Sequence, residues 1–326
     1  MLPATSTLIS SLAFPAFGNR AVLIQGIHGG YGDSDNSSRG LSNATDLRWM
    51  LTTRAVADAV VVGYQTAVRE NYRRISLSPE LMTERKKLGL TGMPKLVVFT
   101  RNGEAVAAAH EFADVVINTA EISLTDALAQ LNESGLVRLS IEGGPRLINA
   151  MAEEGLIHQL ALTTSTVESS QKDSLSALDA LIAKSAHTIF EEDGFTFALH
   201  GELPTWKETL DPLAYDVLRR SATQAPFSVP YEKTPAPGYY VCRGCGNRLF
   251  DADTQFDAHC GWPAFWKPAS DDGVKLVEDR SLFMKRVEVR CAACDGHLGH
   301  VFHGEGFGHP TDDRYCINAI ALIRKN

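Results

Sequence analysis

The chain of 326 residues holds six cysteines, and none of them precedes position 242. Four fall in two Cys-x-x-Cys pairs, Cys242/Cys245 and Cys291/Cys294. Two residues between paired thiolates let both face one tetrahedral centre, and two such knuckles close a four-sulfur shell. Soft thiolates in a closed shell select zinc in a structural role. The same spacing occurs in dithiol redox pairs of the thioredoxin kind, but neither pair here opens a helix in a β-α-β unit. Zinc held by Cys242, Cys245, Cys291 and Cys294 is therefore the expectation, and a small β-rich domain gains much of its stability from such a metal.

The other two cysteines stand alone, Cys260 in His259-Cys260-Gly261-Trp262-Pro263 and Cys316 in Arg314-Tyr315-Cys316-Ile317-Asn318. In a strand, alternation by two puts Arg314, Cys316 and Asn318 on one face. Upstream, His297-Leu298-Gly299-His300-Val301-Phe302 adds two imidazoles and an aromatic ring. A cation or imidazolium beside a thiol favours the thiolate, and a histidine hands a proton to a leaving oxygen in attack on an electrophilic centre. On these residues alone, Cys316 equally fits a buried filler between Tyr315 and Ile317. Trp262 equally fits a core aromatic, and His297 and His300 fit core residues or further zinc ligands.

Length alone suggests two domains. An apolar fraction of 44% with 21% charged residues is that of soluble globular protein. The net charge of −8 argues against a general nucleic-acid or lipid-surface binder. Near the N-terminus, the apolar run with Leu8, Ile9, Leu12, Ala13 and Phe14 is short, ends at Pro15 and has no basic residue before Arg20. Neither a signal peptide nor a membrane span is expected there, so the protein is expected in the cytoplasm, where thiols serve metals or catalysis.

Residues 20 to about 200 alternate β-branched runs with helical spacing. Strands are expected at Ala21–Ile24, Ala59–Val62, Lys95–Phe99, Asp114–Ile117 and Leu139–Glu142, and helices at Asp46–Val56, Leu124–Asn132 and Arg146–Glu154. That rhythm predicts an α/β domain with a mostly parallel sheet covered on both faces. From about Pro204 the pattern changes to a short helical stretch at Asp211–Arg220, a proline-rich approach (Pro226, Pro230, Pro235, Pro237) and short strands broken by Gly and Pro. The second domain is thus expected to be mainly β, with the boundary near 200–205. No internal repeat or low-complexity tract is evident.

Residues 204–326 resemble the type B methionine sulfoxide reductases, the family acting on the R epimer. The resemblance runs through Trp206-Lys207, Leu210-Asp211-Pro212, Tyr215, Val217-Leu218-Arg219, Ala222-Thr223, Pro226-Phe227-Ser228, Gly238 to Cys242, Leu249-Phe250, Phe256-Asp257, Gly261 to Phe265, Val287 to Cys291, His297 to Phe302 and Arg314 to Asn318. It implies that Cys316 is the nucleophile and becomes a sulfenic acid as methionine leaves. Cys260 matches the resolving cysteine, which condenses with it to a disulfide that thioredoxin reduces. By the same resemblance His297, His300 and Asn318 polarise and protonate the sulfoxide oxygen, Arg314 favours the thiolate, and Trp262 packs the substrate methyl. Ala319 departs from the family, where serine is common, as does the stretch Phe302-His303-Gly304-Glu305-Gly306, so His303 is expected to alter substrate access. Oxidised proteins or peptides are the implied substrates. A zinc-stapled module that binds oxidised proteins without reducing them is the alternative from another class.

In the first half, a buried strand ends at Gly63 with Thr66 three residues on, and another runs into Gly143-Gly144 at a helix start. Glycines at strand ends let backbone amides approach a phosphate, and a helix N-terminus favours the anion, although turns also require glycine for backbone reasons alone. Leu47-Arg48-Trp49, Ala57 to Gly63 with Thr66, Glu70-Asn71-Tyr72, Glu142 to Pro145 with Leu147, and Gly155-Leu156 together resemble the reductase domain of bacterial riboflavin biosynthesis proteins over about residues 20–190. The resemblance implies a dihydrofolate reductase-like fold that uses NADPH on a pyrimidine aminosugar phosphate, with Gly63, Thr66, Gly143 and Gly144 cradling the dinucleotide. It also implies a homodimer through this domain. The family's Ser-apolar-Asp-Gly motif is replaced by Ile27-His28-Gly29-Gly30, which removes the acid near the substrate. The zinc deaminase signature is absent too. A related NADPH-dependent reductase with a pyrimidine- or pterin-like substrate, and a domain kept for binding and dimerisation, both stay open. Hydride transfer to a disulfide normally needs a flavin or a dithiol relay, and the first domain has no cysteine, so direct coupling of the two domains is not expected.

Overall fold

The computed structural model describes residues 3–32, 37–90, 92–169, 175–184, 186–232, 237–279 and 286–325. Pro235 lies outside the described residues. Contacts divide the chain into two compact units, Met1–Leu128 with Arg138–Pro204, and Ala129–Val137 with Thr205–Asn326.

The first unit is built on β1 (Gly18–Gln25), β2 (Ala59–Gly63), β3 (Lys95–Thr100), β4 (Val115–Asn118), β5 (Arg138–Ile141), β6 (Gln159–Thr164), β7 (Ala186–Glu192) and β8 (Phe195–Gly201). They form one sheet in the order β4-β3-β2-β5-β1-β6-β8-β7. From β4 to β6 every pairing is parallel, and β8 and β7 complete one edge antiparallel. The β-branched runs serve this sheet because Ala59 to Val62 and Leu96 to Phe99 are buried, as strands covered on both faces require.

The helices before residue 204 are α1 (Thr5–Leu12), α2 (Ala44–Ala55), α3 (Tyr64–Arg69), α4 (Pro79–Lys87), α5 (Glu104–His110), α6 (Leu124–Glu133, assigned to the second unit from Ala129 on), α7 (Pro145–Glu153) and α8 (Ser176–Ile182). Two start where side chains cap them: Asn43 accepts the Asp46 amide at 2.8 Å and Ser78 accepts the Leu81 amide at 3.3 Å, with Pro79 opening α4. The apolar run near the N-terminus folds as α1 and buries Leu8, Ile9 and Leu12. From α2, the fully buried Trp49 packs on Phe190 and Phe197, ring centroids 5.8 and 5.6 Å away.

Besides residues 129–137, the second unit holds α9 (Trp206–Thr209) and α10 (Pro212–Arg220). Asp211 caps α10 by accepting the Ala214 amide at 3.0 Å, and Ala214, Val217 and Leu218 form its buried face. Strands β9 (Tyr239–Cys242), β10 (Arg248–Asp251), β11 (Gln255–Phe256), β12 (Ala264–Phe265), β13 (Val274–Asp279), β14 (Arg286–Cys291), β15 (His297–His303), β16 (Asp313–Ile317) and β17 (Leu322–Lys325) follow. They make two antiparallel sheets, β10-β9-β17 and β11-β12-β16-β15-β14-β13. Phe250 of the smaller sheet stacks on Phe265 of the larger at 4.3 Å, with Tyr240 and Tyr315 against the same pair. Val301, Tyr315 and Ile317 point into this core, so Phe302, Arg314 and Cys316 stand on the opposite, half-buried face.

Candidate active site and metal centre

Cys242 ends β9 and Cys291 ends β14, and each is followed by a tight turn that returns the second cysteine of its pair. The turns match: Gly246 donates to the Cys242 carbonyl and Asp295 to the Cys291 carbonyl, both at 2.9 Å. The four buried sulfurs lie within 4.8 Å of one another, with Cys242 to Cys294 at 3.7 Å and Cys245 to Cys291 at 3.6 Å. A metal about 2.3 Å from four tetrahedral sulfurs spaces them about 3.8 Å apart, so the donor set is compatible with zinc. Burial pushes the Cys245 thiol up, whereas hydrogen bonds from the other three overcome burial and draw Cys291 well down. Without a cation these thiols cannot all ionise together, which is the disagreement a bound metal resolves. Arg219 of α10 holds one knuckle through the Cys294 carbonyl at 3.0 Å and lies 4.8 Å over the ring of Trp206.

The two lone cysteines meet. Cys260 Sγ lies 3.6 Å from Cys316 Sγ. Cys316 sits in β16 between Ala264 of β12 and His300 of β15, directly opposite each in the ladder. Close strand approach here demands glycine at 299, because a Cβ would fall 2.0 Å from the Cys316 carbonyl oxygen. The thiols share a hydrogen bond. That bond, against burial and with help from the Arg314 guanidinium, draws the Cys260 thiol down to about 6. The same bond and burial push Cys316 up, while Arg314 opposes them. One proton therefore leaves the pair readily and the other is held. Arg314 favours the anion on either sulfur.

Two carboxylates aim the imidazoles. His297 is buried, with Nδ1 2.6 Å from Glu288 Oε1 of β14, and its Nε2 has no hydrogen-bond partner among the described residues. Burial lowers its pKa despite Glu288, so the neutral ring is favoured and its protonated form gives up the proton more readily than an ordinary imidazolium does. His300 places Nε2 3.0 Å from Asp279 Oδ2, and the two histidine rings lie 5.5 Å apart.

Alternation stops one residue short of Asn318. Strand β16 ends at Ile317, and Asn318 is buried at the start of a 3-10 turn, Ala319–Ala321. Its Nδ2 donates to the Leu298 carbonyl at 2.9 Å and its Oδ1 accepts the Gln224 amide at 3.0 Å. Gln224 also accepts the indole N–H of Trp262 on its carbonyl at 3.1 Å and the Ile320 amide on its side chain at 2.9 Å. Gln224 thus ties Trp262 and Asn318 into one frame, and Glu288, Asp279 and Gln224 are site residues that sequence reasoning missed. Only the retention of Glu288 within the Val287–Cys291 motif pointed to any of them. His303 is exposed on the rim, with Nδ1 2.5 Å from Asp313.

In the first unit, the glycine turns after β2 and β5 lie side by side, since those strands are parallel neighbours. The Gly144 amide donates to Thr66 Oγ1 at 3.2 Å. A Cβ at Gly143 would lie 2.4 Å from Leu147 Cδ2, and one at Gly144 would lie 2.8 Å from Thr66 Oγ1. A side chain at either position would have to displace Leu147 or Thr66, and Gly144 opens α7 with Pro145 in its first position. Gly63 caps the start of α3 in the same way. Sequence reasoning also missed the support below: Glu142, just before the turn, is buried and takes a forked bond from Arg54 at 2.6–3.1 Å and one from the Tyr72 hydroxyl at 2.9 Å.

Paired redox thiols, flanking imidazoles and a four-sulfur metal clamp on an antiparallel β scaffold define a thiol-dependent oxidoreductase domain. Residues 210–326 match the family model described as the SelR domain. The same region is 53% identical over 117 residues to peptide methionine sulfoxide reductase MsrB of Bradyrhizobium diazoefficiens, covering 36% of this chain and 83% of that protein. It is 48% identical over 117 residues to MsrB of Methanosarcina mazei, covering 36% and 82%. Through this domain the chain belongs to the MsrB family of methionine sulfoxide reductases. Residues 21–167 match the model of the RibD C-terminal domain, which makes this a two-domain chain with a domain similar to the RibD C-terminal domain in front. Among solved structures, similarity extends to a pyrimidine reductase-like protein of Corynebacterium diphtheriae at 22% identity, covering 61% of this chain and 94% of that one with a TM-score of 0.44. Acinetobacter baumannii RibD is similar at 13% identity, covering 57% and 58%, with a TM-score of 0.42. No helix among the described residues is long and apolar enough to cross a membrane.

Proposed function

We propose that the C-terminal domain reduces the R epimer of peptide-bound methionine sulfoxide, with Cys316 as nucleophile and Cys260 as resolving cysteine. The observation that carries this reading is the 3.6 Å approach of the two sulfurs beside Arg314 and opposite His300. Cys316 gives up its proton with Arg314 stabilising the anion, and the thiolate attacks the sulfoxide sulfur. A proton passes to the sulfoxide oxygen, and the hydroxyl shifts to the Cys316 sulfur as the bond between the two sulfurs breaks, releasing methionine and leaving a sulfenic acid. His297, whose uncommitted Nε2 takes up a proton and passes it on while Glu288 holds Nδ1, and His300, braced by Asp279, deliver the proton. The Cys260 thiolate then attacks the Cys316 sulfur, the hydroxyl leaves as water with one proton, and a disulfide forms. A thioredoxin dithiol takes up that oxidation. Trp262, fixed by Gln224, packs the substrate methyl, and Asn318 braces the floor. Zinc on the four clamped cysteines is structural, and a reducing cytosol suits the whole thiol set. The test is turnover of separate R and S sulfoxides with dithiothreitol or thioredoxin, and preference for the S epimer overturns the assignment.

For the N-terminal domain we propose NADPH binding at the paired glycine turns. The residues fit the group: two helix starts converge there, and Thr66, which accepts from Gly144, keeps its own hydroxyl hydrogen to donate to a phosphate oxygen. NADPH supplies hydride when bound. Gly63, Gly143 and Gly144 keep the backbone low enough for a dinucleotide, and Glu142 with Arg54 holds the turn from beneath. A homodimer through this domain belongs to the same proposal.

A further inference from the structure

Arg314 is held on more sides than a charge near a thiol requires. Its Nε and Nη2 donate to the two carboxylate oxygens of Glu305 at 2.6 and 2.9 Å, a forked pair. Its guanidinium lies 4.5 Å from the centroid of Phe302 and 5.9 Å from that of Phe307. Glu305 is itself held by the loop between β15 and β16. The Gly304 amide donates to the Asp312 carbonyl at 3.0 Å and the Gly306 amide to the Asp312 carboxylate at 2.9 Å, so both neighbours of Glu305 are tied down. We propose that Glu305 is a positioning residue for the reductase: its carboxylate fixes Arg314 so that the remaining N–H edge faces the Cys316 sulfur. This rests on the reading of Cys316 as nucleophile.

Two effects of Glu305 oppose each other. Its own negative charge disfavours a thiolate nearby, and its grip on Arg314 favours one. The Glu305 side chain is 37% exposed against 13% for Arg314, so solvent screens its direct effect. The grip wins. Arg314 already supports the thiolate form of both cysteines. Other charged and titratable groups near the sulfurs or Arg314 in the ladder are His300 with Asp279 behind it, Tyr231, Asp257 paired with His259, and Asp313, next to Arg314 in β16 and paired with His303. None of them bonds Arg314 among the described residues, so a change made at Glu305 reaches the thiol through Arg314.

The experiment follows alkylation of Cys316 by iodoacetamide against pH, read by peptide mass spectrometry in the full-length, zinc-loaded Cys260→Ser protein. Glu305→Gln should raise the midpoint of the profile by about one pH unit, roughly a ten-fold slower reaction on its low-pH side, and Glu305→Asp should restore most of it. In an Arg314→Gln background, Glu305→Gln should change nothing further. An unmoved or lowered midpoint, a uniform slowing at every pH, or an additive effect in the Arg314→Gln background overturns the proposal. Failure of the underlying reading looks different: protein alkylated only at Cys316 would keep its methionine sulfoxide turnover.

Discussion

Cys260 Sγ and Cys316 Sγ stand 3.6 Å apart although the residues are 56 positions apart in the chain. A disulfide needs about 2.05 Å, so a closing movement of about 1.5 Å makes the bond. Cys316→Ser should lower turnover by roughly 10³-fold or more. Cys260→Ser should retain one stoichiometric turnover and lose thioredoxin-driven cycling. Mass spectrometry after one equivalent of sulfoxide should show the wild-type chain two hydrogens lighter. Persistence of cycling in Cys260→Ser would assign resolution elsewhere.

The clamp predicts one zinc per chain. Four sulfurs within 4.8 Å of one another come from the ends of β9 and β14 and the turns that follow, and so join the smaller sheet to the larger. Cys291→Ala should release the metal and unfold the C-terminal domain, because a structural zinc is worth as much as the whole stability of a domain, about 5–15 kcal/mol. Metal analysis and circular dichroism check this together. Freshly purified protein without zinc, and with all four thiols freely titratable, would refute it.

Neutral, buried His297 makes the C-terminal domain acid-sensitive. In the unfolded chain its imidazole titrates near 6.5 (about that of a model peptide), whereas burial lowers it in the folded state. Above the unfolded value both states are neutral and the contribution to stability is complete. As pH falls below it, the unfolded chain takes up a proton that the folded chain refuses, and stability declines until the folded value is passed. Urea midpoints at about pH 7.5 and about pH 5.5 should therefore differ, and His297→Gln should narrow the difference. An equal difference in that variant would remove His297 as the cause.

Chemistry-bearing residue types were legible in the sequence because spacing encodes local geometry. Two residues between cysteines make a knuckle, and alternation puts Arg314 and Cys316 on one face. What holds those residues was not legible, since partners come from distant segments. Gln224 meets Asn318 across 94 positions and Arg54 meets Glu142 across 88, and no periodicity reports such pairs. Asn318 shows the limit of alternation itself, which fails as soon as the strand ends. The same holds for α1, whose short apolar run has no signature beyond its own length and acquires meaning only by packing.

Nicotinamide binding at the N-terminal turns is the last prediction. Gly144 is both the start of α7 and the donor to Thr66, so a side chain there disturbs the helix start and the hydroxyl together. A Cβ at that position would lie 2.8 Å from Thr66 Oγ1, closer than carbon and oxygen tolerate. Calorimetric titration of the intact protein should give micromolar dissociation of NADPH, on the order of −8 kcal/mol. Gly144→Val should weaken this at least about ten-fold and leave methionine sulfoxide turnover unchanged, because hydride has no dithiol relay to the Cys260–Cys316 pair in a domain that lacks cysteine. Replacing Ile27-His28-Gly29-Gly30 should leave NADPH affinity intact as well, since those residues match the substrate side of the resembling family. No binding of NADPH or NADH at millimolar concentration would remove the reductase reading and leave the domain a structural role.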